Sequence, residues 1–149
     1  MFRLCIAGGV AATLMLAEGF GFSIGSPVAA QDFQSKTAAF VFRTEGCADS
    51  AKAQISGTAE GLVKGARRSM ALKVGPLSTP GVYAVYQNWP AEGEWVVNLK
   101  GICADASAGA LVPIGPKGFV RESSKFFPRP ATNAEIEASL KAVAKGESK

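Results

Sequence analysis

Any acid–base or nucleophilic chemistry in this chain has to be done without histidine, since none of its 149 residues is one. A serine or cysteine nucleophile therefore lacks an imidazole base, and no serine opens an S-x-x-K pair that would put a lysine in that role. Carboxylates are what remain. Glu92 and Glu94 flank Gly93, and Glu45 and Asp49 flank Cys47. Two carboxyls about 5–9 Å apart can hydrolyse a glycoside, so a carboxylate-only glycan hydrolase is the enzymatic alternative. Turn carboxylates are usually solvated, and no catalytic residue is assigned.

Metal and cofactor motifs are equally thin. The chain has no C-x-x-C and no D-x-D-x-D-G loop, and its acidic residues are scattered. Gly57, Gly61 and Gly65 recur every four residues. They do so in strand and turn context, which suits packing rather than phosphate binding. No metal ligand and no cofactor are expected.

Basic residues have more of a binding character. The net charge is +4. Lys64, Arg67 and Arg68 lie around one turn, and Lys117, Arg121, Lys125 and Arg129 recur every four residues. These are candidate contacts for an anionic envelope polymer, such as lipopolysaccharide or cell-wall polymer, or for an acidic protein patch. The plainer reading is a solubilising surface. Nucleic acid is not an expected partner, because no nucleic-acid-binding module is recognisable. Trp89, Phe126 and Phe127 stand near turns and prolines, where aromatics either form a binding face or plug the ends of a sandwich.

The chain's first thirty residues read as an export signal. Arg3 supplies a positive start, Leu4 to Ala17 an apolar stretch, and Ser26 to Ala30 a run of small residues. Val28 and Ala30 suit cleavage after Ala30. The apolar run ends at Glu18 after about 14 residues, whereas a spanning helix needs roughly 20. The expected product is residues 31–149, periplasmic or secreted, with no membrane span. Cys5 leaves with the signal. Cys47 and Cys103 then remain, and two cysteines in an exported chain most simply form one disulfide. Closing a loop of about 57 residues is worth roughly 4 kcal/mol.

The elements that would position these residues are mostly short strands. Residues 38–43 are apolar apart from the terminal Arg43. Ala53, Ile55, Gly57, Ala59 and Gly61 alternate with polar residues, and Met70, Leu72 and Val74 do the same across the 63–65 turn, which predicts a hairpin. Strands are also expected at 82–87, 94–100 and 110–114, with a weaker one at 119–122. In 94–100, Trp95, Val97 and Leu99 share one face, and Val96 breaks the alternation. Two prolines keep 126–130 out of any central strand. Thr132–Glu135 matches a capping box, and Ile136, Leu140 and Val143 form one stripe, so a helix is predicted from about 133 to 145, ended by Gly146. The fold class expected is all-β. It is an antiparallel immunoglobulin-like β-sandwich of one domain with a short C-terminal helix. The bridge is expected to tie strand ends together rather than staple the sheets through the core.

Pro80-Gly81-Val82-Tyr83, followed by Trp89-Pro90-Ala91-Glu92-Gly93-Glu94-Trp95-Val96-Val97-Asn98-Leu99, resembles the P-G-x-Y … P-x-x-G-x-W-x-V-x-L hairpin of small exported bacterial immunoglobulin-like sandwiches, including the YtkA-like group. The resemblance covers about 20 residues and implies an architecture, not an activity. Some members of such groups are associated with metal handling. This chain departs from that role, having no histidine and only Met70 after the leader. The expected function is a non-enzymatic accessory or binding protein of the bacterial envelope. The alternative is a secreted inhibitor or ligand of an envelope hydrolase, using a disulfide-braced loop near Cys47 or Cys103.

Overall fold

The computed structural model describes residues 19–26 and 36–146. The expected cleavage point after Ala30 and most of the leader lie outside them. The strands are β1 (Gly21–Gly25), β2 (Phe40–Glu45), β3 (Gln54–Val63), β4 (Ala66–Ala71), β5 (Lys73–Pro76), β6 (Val82–Tyr86), β7 (Glu94–Cys103), β8 (Ala106–Gly115), β9 (Gly118–Phe119) and β10 (Lys125–Phe127). One helix, α1 (Asn133–Ala144), follows. All pairings are antiparallel. The first sheet runs β1-β2-β6-β5 and the second β10-β8-β7-β3-β4, with β9 on β8. The protein is thus an all-β sandwich with a helix at its C-terminal end.

The main core lies between the sheets. Phe40, Phe42 and Val85 from the first meet Ala59, Trp95, Val97, Leu99, Ala110 and Val112 from the second. The period-two pattern of 53–61 and 94–100 predicts these inward faces correctly. Small residues on β3 leave room for large ones opposite: a Cβ at Gly61 would stand 2.5 Å from the Trp95 ring. Aromatic rings run across the first sheet, with Phe20 5.7 Å from Phe22, Phe22 5.5 Å from Phe42, and Phe42 stacked 5.2 Å from Tyr83.

Val96 breaks the alternation because the outer face of the second sheet is itself covered. Val96 and Leu111 are buried there against Ile136 and Leu140 of α1. The helix starts where the sequence places it. Thr132 caps it, with Glu135 N–H donating to Thr132 Oγ1 (3.2 Å) and Thr132 N–H donating to Glu135 Oε1 (2.8 Å).

Two expectations need correction. The stretch 69–74 is not one strand. It breaks at Leu72, and β4 stays beside β3 in the second sheet while β5 joins β6 in the first. Likewise β6 and β7, expected as a hairpin, lie in different sheets, and the Trp89-Pro90 segment crosses between them. Gly21–Gly25, within the expected leader, forms the edge strand β1, paired along its length with Val41–Glu45. Its Phe22 and Ile24 are buried in the main core, a contribution of about 1.5–3 kcal/mol for each side chain.

Cys47, just after β2, is bonded to Cys103 at the end of β7, with Cα atoms 5.9 Å apart. The bridge joins strand ends of the two sheets, as the sequence suggests. Such bonds persist in oxidising compartments. No helix among the described residues is long and apolar enough to cross a membrane.

Candidate functional site

Chemistry-bearing side chains gather in two places. The first is a cleft of about 840 Å³ at one end of the sandwich. The 87–94 crossing, the turn between β8 and β9, and the C-terminal end of α1 enclose it. Its volume falls in the range of small-ligand sites, about 300–1,000 Å³. Trp89, Trp95, Ile114 and Phe119 supply apolar wall. The crossing is held by two side chains. Trp95 Nε1–H donates to the Glu92 carbonyl at 2.9 Å, and Gln87 Nε2 donates to the Trp89 carbonyl at 3.2 Å. Glu94 and Lys117 are the only charged residues lining the cleft among the described ones.

The second place lies on the helix-facing side of β3. Glu60 is only 7% exposed. Its Oε1 accepts from Thr58 Oγ1 (2.9 Å) and Ser69 Oγ (3.0 Å), and its Oε2 from Arg67 Nη2 (3.3 Å). Arg67 also reaches Glu137 of α1 at 3.9 Å. Asn98 Nδ2 donates to Thr58 Oγ1 at 3.4 Å, while its buried Oδ1 meets no donor among the described residues. The cluster ties β3, β4 and α1 together. Glu60 is not legible as a buried residue in the sequence, because it falls on the polar half of an alternating strand, which reads as solvent-facing.

The basic residues do not form one patch around the 64–65 turn. Arg67 pairs in register with Leu62 and Arg68 with Gly61, so strand alternation sends them to opposite faces. Arg67 lies on the helix side in the Glu60 cluster, and Lys64 stands 3.9 Å from Glu92. Arg121 and Lys125 are exposed near the second sheet's β10 edge. Of the carboxylate pairs, Glu45 faces Arg43 (3.6 Å) and Asp49 faces Lys52 (3.8 Å), while Glu92 and Glu94 separate into a turn ion pair and the cleft wall. Trp89 is buried, Phe127 is partly buried beneath Arg129, and Phe126 is 48% exposed.

Arg129 is engaged by the helix start. Its guanidinium donates to both carboxylate oxygens of Glu135, at 2.7 and 3.3 Å. That contact, with the Thr132 N–H, pulls the Glu135 carboxyl from the ordinary 4.5 down to about 2. A carboxyl depressed in the folded state contributes stability that is complete above its unfolded value and lost as pH falls through the folded one. Thermal melts should therefore show an acid-induced loss between about pH 4.5 and 2 that is smaller in Glu135→Gln. Equal acid sensitivity of the two proteins would show that the pair does not hold the helix start.

No family model, curated protein or solved structure matches the chain.

Proposed function

We propose that the chain is a non-enzymatic binding protein of the bacterial envelope, working in the periplasm or outside the cell. Its partner is an anionic envelope polymer or an acidic protein surface. The observation that carries this reading is the make-up of the end cleft. The cleft has the size and aromatic wall of a ligand site, yet Glu94 is the only carboxylate among its described lining residues. Paired-carboxylate chemistry needs two. The bridge and the export signal support the compartment.

Lys117 brings positive charge to the cleft and Arg121 follows its lining residue Val120 directly in the chain. Co-sedimentation with isolated lipopolysaccharide and with peptidoglycan sacculi, at low and moderate salt, tests the reading. Wild type should bind one of them, and Lys117→Glu combined with Arg121→Glu should weaken binding about tenfold or more, in line with loss of surface electrostatic attraction. Failure to bind either polymer, or binding indifferent to the charge reversal, rejects the envelope polymer as partner.

A further inference from the structure

β1 is the edge of the first sheet, and it is built from residues that precede the expected cleavage point. Its register is complete, from Gly21 opposite Glu45 to Gly25 opposite Val41. Phe20, Phe22 and Ile24 are 6%, 8% and 5% exposed. The second sheet is shaped for them: at Gly101 a Cβ would stand 2.6 Å from the Phe22 ring and 3.0 Å from that of Phe20. Ile24 is seated in register with Phe42. Once the leader is cut away, the outer row of β2 backbone groups and the apolar strip between Phe42 and Gly101 have lost their cover. An uncovered edge of that kind pairs with extended chains.

We propose that the β1 seat is a strand-binding groove. In the full-length chain Gly21–Gly25 fills it. After cleavage at Ala30 it takes an extended segment of a partner protein with the pattern aromatic-x-aromatic-x-aliphatic. Backbone pairing with β2 supplies the affinity, and the ring slot over Gly101 supplies the selectivity. A second processed copy is not the occupant. It has lost the segment that carries the pattern, and its other edge strands, KVGP, ARRSMA and KFF, do not carry it. The proposal rests on the export reading for the event that empties the seat.

The test uses the full-length, bridged chain with residues 27–30 replaced by a protease-recognition sequence. After cutting, a fluorescent peptide of residues 18–26 is added. It should bind the cut protein saturably, be excluded from the uncut protein, and bind at least about a hundredfold more weakly when it carries Phe22→Asp. If the cut chain unfolds as its strand leaves, the peptide should restore the near-ultraviolet circular dichroism of Trp89 and Trp95. No binding and no restoration overturn the groove and leave the export reading standing. The mass of the exported protein is the second arm. A start at Gln31 supports the proposal, and a periplasmic form that begins at or before Gly21 overturns it, because the seat is then filled for good.

Discussion

Replacing Trp95 with alanine should lower the unfolding free energy by about 3–5 kcal/mol, the usual cost of emptying a large aromatic site in a core. Trp95 is 2% exposed and belongs to the main cluster between the sheets. Its ring lies flat against Gly61, where any larger residue would collide with it. The cavity left behind cannot collapse easily, because the neighbours on either side belong to paired strands. The indole also orders the inter-sheet crossing, through the 2.9 Å bond from Nε1 to the Glu92 carbonyl. Trp95→Phe keeps most of the volume and removes that bond, so it should cost only about 1–2 kcal/mol. Gly61→Val attacks the same contact from the other side. Its effect and that of Trp95→Ala should not add, since the two residues touch. Urea midpoints at unchanged slope provide the measurement. A cost below about 1 kcal/mol for Trp95→Ala would show that the ring is not packed as described.

The residues that made this contact readable also show where sequence patterns stop. Alternation in 94–100 and 53–61 reports faces directly, because side chains on a strand point to opposite sides in turn. The capping box at Thr132–Glu135 is equally local, and the helix begins there. Sheet membership is not local. Nothing in Met70, Leu72 and Val74 tells that the chain changes sheets at Leu72, since both strands present the same alternation. Glu60 and Val96 mislead for one shared reason: the outer face of the second sheet carries α1, so "outward" there means buried. β1 was hidden differently. Its Phe-x-Phe-x-Ile pattern is that of a half-buried strand, but it sits inside a segment whose composition reads as a leader. The site residues were the least legible. Trp89 and Glu94 of the crossing are more than twenty residues from Lys117 in the chain, and only the packing of the two sheets brings them to one cleft.

Removing the bridge by Cys47→Ala with Cys103→Ala should cost about 4 kcal/mol, the loop-closure value for two residues 56 apart in the chain. Most of that effect acts on the unfolded chain, which regains the freedom the bond denies it. The folded side of the balance also matters. Cys47 follows β2 and Cys103 ends β7, so the bond is the only covalent tie between the two sheets among the described residues, apart from the chain's own crossings. Domains of this size have a net stability of about 5–15 kcal/mol. A loss of 4 leaves a protein with little in hand. Urea unfolding of the wild type with and without reductant should reproduce the double variant's shift, and each single variant should show it too. A reductant-induced change below about 1 kcal/mol would mean that the unfolded chain is already compact around these residues. A shift of the expected size links the fold to its surroundings: the sandwich reaches its full stability only where thiols are kept oxidised.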